Sequence, residues 1–266
     1  MLWLKQFDRL ANIPSQKLVT HLRCSCKQDK NTESIAIIRP GGLGDLVVLT
    51  EACLLAGIHP DAFTWIVEPR NAIWLDYLGI SYICYNKPLS LWKTLQGKQC
   101  FDVTIVSEQI HGLAILYANR VTSKNGKVVG FDRNPRADCL DVKVDYSPES
   151  THEINSFQKL FESGIQQFPE NYNANNLTLP EFEKIEGSFT VVGIGGLQVP
   201  EKKLGIEGWS KILYHAESFG QPVVILGHKR DREFAESLVK HCGRPVENLV
   251  GIISFAKVID YLRSTE

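Results

Sequence analysis

A glycine-rich turn that ends in an acidic residue carries the clearest chemical signal in the sequence. The turn spans Arg39 to Asp45 (RPGGLGD) and follows 35–39, an apolar run typical of a parallel strand that is buried on both faces. Gly41, Gly42 and Gly44 allow the backbone to turn sharply and approach a ligand, and the helix N-terminus that follows favours anions. A turn of this kind predicts a ligand site at the end of the strand.

Asp45 decides which ligand the turn suits. The motif has Val47 in place of the third glycine of a dinucleotide fingerprint, and it lacks the Gly-Lys-Ser/Thr of a P-loop. A carboxylate at the mouth of the turn would also repel a diphosphate. It is better suited to accept a proton from a neutral hydroxyl as a general base. The alternative interpretation is that Asp45 caps the helix that follows.

The composition excludes several classes of protein. Hydrophobic residues make up 44% and charged residues 22% of the 266 residues, as in ordinary globular chains. Lys and Arg number 29 against 30 Asp and Glu, so no net field attracts nucleic acid. The seven cysteines are scattered without a C-x-x-C pair, which argues against a disulfide framework or a zinc site and for a reducing compartment. The chain has no secretory signal and no run near the ~18 apolar residues of a membrane span, so we predict a cytoplasmic protein.

Strands alternate with helices along most of the chain, which predicts an α/β fold with parallel sheets. The first series has predicted strands at 35–39, 62–67, 101–106 and 127–131 and predicted helices at 45–57, 71–77 and 112–119, with a last helix that runs to Ser163. The second series has predicted strands that begin at 189, 222 and 248 and predicted helices at 207–219, 231–241 and 255–263. The last of the first-series helices opens with a predicted capping box that begins at Ser150.

The two series predict two Rossmann-like domains, at 34–168 and 189–266, joined by a linker at 169–188 that begins rich in Asn and Pro. The second domain holds only three strands, which is few for half of a doubly wound fold. Residues 1–33 are predicted to form a helical extension. Since this segment carries six Lys and Arg up to Lys30, the alternative to packing on the domain is contact with an anionic membrane face.

Ile37 to Val47 (IIRPGGLGDLV) resembles the opening motif of glycosyltransferase family 9, the lipopolysaccharide heptosyltransferases. Further short stretches follow in the order that this family has. They are WIVEPRN at 65–71, FDVTIV at 101–106, GFD at 130–132, His152-Glu153, VGIGG at 192–196, Lys202, Trp209, VVILG at 223–227 and Asp231. The order of these stretches, from about residue 34 to the end, carries the resemblance.

The resemblance implies a GT-B architecture, in which an N-terminal domain takes the acceptor and a C-terminal domain takes a nucleotide-activated sugar. It implies an inverting, metal-independent transfer from ADP-heptose or a similar nucleotide sugar to lipopolysaccharide core or another glycolipid, with no cofactor. Peripheral contact with the inner membrane fits such an acceptor. The family match makes Asp45 the catalytic base. It also gives Gly195, Gly196, Lys202 and Asp231 as donor-side residues. The residues expected on the acceptor side are Gly41, Gly42 and Gly44 of the turn, together with Arg70 and Glu108, which lie near predicted strand ends.

Several of these residues have plainer alternatives. Lys202 stands beside Lys203 and has the character of solvated surface, and Asp231 would cap a helix equally well. Arg70 is a lone arginine of the kind that often serves as scaffolding. No Asp-x-Asp occurs in the chain, so a metal-clamping acidic pair is not predicted.

The sequence also departs from the family pattern. Leu204-Gly205 stands where many relatives have Trp-Pro. The chain stops where family members continue into a loop, Asp-Ser/Thr-Gly-x-x-His, that grips the diphosphate. We therefore expect an incomplete donor domain and impaired activity. The alternatives are a non-catalytic glycan-binding protein and a dinucleotide-dependent oxidoreductase built on the two glycine-rich turns.

Overall fold

The structure, a computed structural model, describes residues 23–24, 34–84, 100–165, 180–195 and 204–265. The chain divides into two compact units, Met1–Leu179 and Pro180–Glu266. Each unit carries one sheet whose strand pairs are all parallel, which confirms the predicted α/β class. The predicted helical extension lies outside the described residues, apart from Arg23 and Cys24, and so does the first part of the predicted linker, 169–179.

The described residues of the first unit form six strands and four α-helices. The strands are β1 (Ile35–Arg39), β2 (Thr64–Val67), β3 (Tyr82–Cys84), β4 (Phe101–Val106), β5 (Thr122–Phe131) and β6 (Val142–Val144). The helices are α1 (Leu43–Leu55), α2 (Pro69–Leu78), α3 (Leu113–Val121) and α4 (Glu153–Gly164). The strand order in the sheet is β3-β2-β1-β4-β5-β6, so β1 lies at the centre and the chain winds outward in both directions.

Both faces of this sheet are covered, which is why β1 has no polar alternation. Ile35 and Ile37 point to the face that packs on α1 and α4, and Ala36 and Ile38 point to the face that packs on α3. All five residues of β1 are buried. Burial on both faces is typical of parallel strands between crossover helices.

The predicted strands of the first unit are present, and two further strands were missed. β5 begins at Thr122, five residues before the predicted start. β3 and β6 are three residues long, partly exposed, and form the two edges of the sheet, so they lack the apolar run that reveals a central strand. The predicted capping box is also displaced, since α4 is capped by His152, whose Nδ1 accepts from the backbone N–H of Ile154.

Cys24 and Cys100 form a disulfide, with 5.8 Å between their Cα atoms. The expectation that the cysteines form no disulfide is therefore wrong for this pair. The pair could not be predicted from the sequence because 76 residues separate the two cysteines. They come together only in the fold, where a β-bridge between Cys24 and Ser123 places Cys24 beside the start of β4. Arg23 strengthens the attachment by donating to Asp141 Oδ2 at 2.5 Å. Among the described residues, the free cysteines are Cys53, Cys84, Cys139 and Cys242.

The second unit contains β7 (Thr190–Ile194), β8 (Val223–Gly227) and β9 (Val246–Asn248), paired in that order. Its helices are α5 (Ile206–Glu217), α6 (Arg232–Cys242) and α7 (Phe255–Ser264). A compact core forms where α5 and α6 cover one face of the sheet, with Trp209 and Leu213 from α5 against Val192, Ile194 and Ile225. No helix in the described part of the chain has both the length and the apolar character needed to cross a bilayer.

Residues 180–188, which the sequence analysis assigned to the linker, lie along α7. The backbone N–H of Ile185 donates to Ser264 Oγ at 2.9 Å, and Lys257 Nζ lies 2.5 Å from Glu183 Oε2. The guanidinium of Arg263 stacks 4.1 Å from the ring centre of Phe182. This segment is therefore a packed part of the second unit.

Candidate active site

The carboxyl ends of the strands of the first sheet gather most of the predicted acceptor-side residues. β1 ends at Arg39, and α1 begins at Leu43, directly after the glycine-rich turn. The loops that follow β2, β4 and β6 end at the same edge because all the strands are parallel. Side chains that are distant in sequence therefore meet beside the turn.

Asp45 forms an ion pair with Arg39 at this edge. Arg39 Nη2 lies 2.6 Å from Asp45 Oδ2, and the same carboxylate oxygen accepts the backbone N–H of Gly42 at 3.3 Å. The two partners differ strongly in burial, since 4% of the Arg39 side chain is exposed against 49% of that of Asp45. Asp45 thus caps α1, as one interpretation predicts, and still has about half of its side chain exposed to solvent.

Arg39 is held from several sides. Its Nη1 donates to the backbone carbonyl of Ser107, which directly follows β4, and its guanidinium lies 5.7 Å from the ring centre of Phe157 on α4. A Cβ atom at Gly41 would lie 2.8 Å from Nη2 of Arg39. Gly41 is therefore required for the guanidinium to pass beneath the turn and reach Asp45.

The other two glycines of the turn have different surroundings. A Cβ at Gly42 would lie 3.1 Å from Asp45 Oδ2, which is a tight contact with the carboxylate. A Cβ at Gly44 would meet nothing within 4 Å. Gly44 therefore borders open space in the described structure, whereas Gly41 and Gly42 make room for the Arg39–Asp45 pair.

A second polar group, which the sequence analysis missed, lies on neighbouring loops at this edge. Tyr146 donates its hydroxyl hydrogen to Glu153 Oε2 at 2.6 Å, and Gln109 Nε2 donates to Glu153 Oε1 at the same distance. Burial raises the pKa of Tyr146 to about 12, helped by the hydrogen bond and charge of Glu153. The charges of Arg39 and Asp45 also act on this pKa, so the two polar groups are electrostatic neighbours.

Two predicted acceptor-side residues have local partners. Glu108 is buried, and its Oε1 accepts the backbone N–H groups of Ile110 and His111, so the carboxylate closes its own loop. Arg70, at the start of α2, pairs with Glu68 through Nε at 2.7 Å and remains 41% exposed. Arg70 thus lies at the exposed start of α2, and the carboxylate of Glu108 stabilises the loop that follows β4.

Two of the four predicted donor-side residues, Gly196 and Lys202, lie outside the described residues. Gly195 follows β7 directly, is exposed, and has open space where a side chain would stand. Asp231 is buried to 7% exposure at the start of α6 and makes no side-chain capping bond there. Within the described ranges, no group donates a hydrogen bond to its carboxylate.

Close backbone packing shapes the same end of the second sheet. A Cβ at Gly227 would lie 2.9 Å from the carbonyl oxygen of Ile194, and one at Gly251 would lie 2.5 Å from the Cα of Lys229. Gly251 also has a φ of +65°, which favours glycine. The loops after β8 and β9 are therefore tightly packed around the start of α6. Across the residues that the structure describes, no three His, Cys, Asp or Glu side chains converge as a metal site would require.

The chain is similar in structure to solved glycosyltransferases. A family 9 glycosyl transferase from Veillonella parvula matches with a TM-score of 0.64 at 15% identity, over 91% of this chain and 75% of that one. The E. coli heptosyltransferase WaaC with ADP matches with a TM-score of 0.62 at 18% identity, over 87% of this chain and 79% of that one. E. coli ADP-heptose lps heptosyltransferase II matches with a TM-score of 0.56 at 13% identity, over 87% and 77% of the two chains.

These likenesses confirm the GT-B type of fold that the sequence resemblance predicts. At identities of 13 to 18% they show the fold alone. No family model matches the chain. No curated protein matches it by sequence.

Proposed function

We propose that this chain is an inverting glycosyltransferase that moves a sugar from ADP-heptose, or a similar nucleotide sugar, to a hydroxyl of lipopolysaccharide core or a related glycolipid. The observation that carries the proposal is the carboxylate of Asp45, which is half exposed at the carboxyl edge of a doubly wound sheet. Ligands of open α/β sheets bind beyond the carboxyl ends of the strands. The fold shared with solved heptosyltransferases supports the same assignment.

Asp45 acts as the general base in the proposed reaction. The acceptor hydroxyl oxygen forms a bond to the anomeric carbon as the bond from that carbon to the diphosphate oxygen breaks. The electron pair of the broken bond leaves with the diphosphate, and the hydroxyl proton passes to the Asp45 carboxylate. Attack from the face opposite the leaving group inverts the anomeric configuration.

The second unit is assigned the nucleotide sugar. Asp231 is suited to accept hydrogen bonds from ribose hydroxyls, because it is a buried carboxylate at the carboxyl end of a parallel strand. Gly195 leaves space for a phosphate beside the end of β7. Lys202 and the backbone of Gly196 are assigned to the diphosphate from the sequence resemblance, where positive charge would stabilise the leaving group. The solved WaaC structures with ADP and with ADP-2-deoxy-2-fluoro heptose support a nucleotide-sugar donor.

We also propose that the reaction takes place in the cytoplasm. The free thiols of Cys53, Cys84, Cys139 and Cys242 fit a reducing compartment, whereas the Cys24–Cys100 disulfide does not. A glycolipid acceptor would bring the protein to the inner membrane, and the basic residues of 1–33 would favour peripheral contact there. No metal and no cofactor take part in the proposed transfer.

The test is ADP release from ADP-heptose in the presence of a lipopolysaccharide-core acceptor and the 266-residue chain. We expect Asp45→Asn to abolish release and to leave acceptor affinity nearly unchanged. Asp61→Asn is the matched control, because Asp61 is an exposed carboxylate in the turn that precedes β2, remote from the carboxyl edge. Unchanged release by Asp45→Asn would reject the assignment of the base.

The rate of ADP release tests the expected impairment, and two further measurements test the alternatives. Slow release by the 266-residue chain agrees with an impaired donor site, and turnover at an ordinary rate of roughly 1–10³ s⁻¹ contradicts it. Acceptor binding without any release favours a glycan-binding protein. A change of NADH fluorescence on mixing with the chain favours the oxidoreductase.

A further inference from the structure

We propose that Arg39 is a positioning residue: it anchors Oδ2 of Asp45 and leaves Oδ1 as the oxygen that receives the proton of the acceptor. This inference rests on the proposed function, in which Asp45 is the base. It adds a role for a buried arginine that the sequence analysis had not placed in the site.

The hydrogen bonds of Asp45 are one-sided. Arg39 Nη2 and the backbone N–H of Gly42 both approach Oδ2, at 2.6 and 3.3 Å. Within the described parts of the chain, no group donates to Oδ1. Because 49% of the side chain is exposed, a substrate hydroxyl has access to the carboxylate from solvent. One oxygen is therefore bound by the protein and the other is available.

Arg39 can act as an anchor because it is itself fixed. Its Nη1 donates to the carbonyl of Ser107, and its guanidinium lies over the ring of Phe157. Only 4% of the side chain is exposed, so it has little space in which to change rotamer. The guanidinium donates one hydrogen bond through Nη1 to the carbonyl of Ser107 and another through Nη2 to Asp45. The ammonium group of a lysine cannot make both bonds in the same geometry.

Orientation of the carboxylate matters for the proposed step. A general base must lie within hydrogen-bond reach of the proton that it takes. A misplacement of about 1 Å can lower a rate by about 100-fold. We therefore expect loss of the anchor to lower kcat and to leave the acceptor KM nearly unchanged, because the acceptor is bound by other groups.

The experiment compares Arg39→Ala and Arg39→Lys with the wild type in steady-state transfer. For Arg39→Ala we expect kcat to fall by about 100-fold, with the acceptor KM within about two-fold. Arg39→Lys is expected to be intermediate, because it restores the charge without the fork. Millimolar guanidinium, which has the shape and charge of the deleted group, should restore part of kcat in Arg39→Ala. Arg244→Ala removes a guanidinium–carboxylate pair of the second unit and is the matched control, with kcat unchanged.

The outcomes separate this inference from the proposed function. If Asp45→Asn abolishes transfer while Arg39→Ala keeps its kcat, the inference is overturned and the proposed function stands. A fall in kcat that guanidinium does not restore, accompanied by a lowered melting temperature, shows a merely structural role and also overturns it. If the wild type shows no transfer, the proposed function fails, and a crystal structure of Arg39→Ala decides the positioning. The positioning role of Arg39 is supported if Asp45 occupies more than one rotamer in that structure while the backbone of the 41–44 turn has not moved. A single, unchanged rotamer of Asp45 refutes it.

Discussion

The phenol of Tyr146 and the carboxylate of Glu153 are joined by a 2.6 Å hydrogen bond that links the loop after β6 to the first turn of α4. Gln109, in the loop after β4, donates to the other oxygen of Glu153, so the connections that follow β4 and β6 meet at one carboxylate. Phe131 packs beneath Tyr146, with 4.7 Å between the ring centres. The edge of the sheet that carries Asp45 is thus supported by a network that no single segment of the sequence reveals.

Glu153→Gln is expected to lower the pKa of Tyr146. Burial is the largest cause of its rise to about 12, and the hydrogen bond and charge of Glu153 add to it, so the pKa should fall without returning to 10. Ultraviolet absorbance of tyrosinate follows the titration, and a parallel titration of Tyr146→Phe identifies the signal. Tyr117 is an internal control, because burial alone raises its pKa to about 12. An unchanged Tyr146 titration in Glu153→Gln would contradict the network.

The same tyrosine gives the stability a pH dependence of definite sign. An unfolded chain loses the Tyr146 proton near pH 10, whereas the folded protein keeps it until about pH 12. Stabilisation from this group is therefore complete below pH 10 and is lost as the pH rises toward 12. We expect Tyr146→Phe to flatten the decline of the free energy of unfolding across this window. Urea denaturation at several pH values measures it, and a decline as steep as that of the wild type would refute the assignment.

Gly41→Ala and Gly44→Ala should change stability in opposite directions. The new methyl at position 41 would meet the buried guanidinium of Arg39 at 2.8 Å, so the free energy of unfolding should fall by about 1–3 kcal/mol. Gly44 lies in α1, and a Cβ at this position would meet nothing within 4 Å. Alanine should therefore raise the free energy of unfolding by roughly 0.5 kcal/mol through its higher helix propensity. Equal effects of the two substitutions in urea denaturation would contradict the packing described for Arg39.

Loss of the Cys24–Cys100 disulfide should destabilise the first unit. The bond closes a loop of 76 residues, so Cys24→Ser is expected to lower the free energy of unfolding by about 2–4 kcal/mol under oxidising conditions. The difference should vanish when a reductant is added to the wild type. Cys84→Ser is the control, since Cys84 is an exposed free thiol. Mass spectrometry that finds six or more free thiols in the purified, oxidised protein would rule out the bond.

Asp231→Asn should weaken nucleotide binding if the second unit takes the donor. Loss of a charged acceptor for ribose hydroxyls is expected to lower the affinity for ADP by about ten-fold or more. Isothermal titration calorimetry on the full chain measures the change. Glu236→Gln on the exposed face of α6 is the control. Equal ADP affinity in Asp231→Asn and the wild type would remove Asp231 from the donor site.

The strands that could be predicted most clearly from the sequence are those that are buried on both faces of a sheet. β1 and β8 are apolar up to their last residue, and β4 (FDVTIV) is apolar except at Asp102 and Thr104. Most residues of these strands are buried, and such runs stand out in a sequence. β3 and β6 are edge strands of three residues, whose pairing depends on the neighbouring strand rather than on their own residues. The disulfide was missed for a related reason, since it depends on tertiary placement.

Part of the candidate site was also predictable. Asp45 follows a glycine-rich turn after a buried strand, so its placement at the sheet edge is a local property of the sequence. Its partner was not predictable, because Arg39 is fixed by Ser107 and Phe157, which lie far along the chain. Glu108 was predicted to line the acceptor site because it is a carboxylate after a strand. In the structure its carboxylate instead accepts hydrogen bonds from the backbone of its own loop.

The central place of β1 has a consequence for biosynthesis. One edge of β1 pairs with β2, which is synthesised soon after β1. The other edge pairs with β4, so Ile35 can pair with Val103 only after the intervening chain has been synthesised. At roughly 5 to 20 residues per second, the ribosome leaves that side of an apolar strand unpaired for several seconds. An apolar strand edge left unpaired during synthesis is prone to aggregation, so we expect slow translation between β2 and β4 to lower the yield of soluble protein.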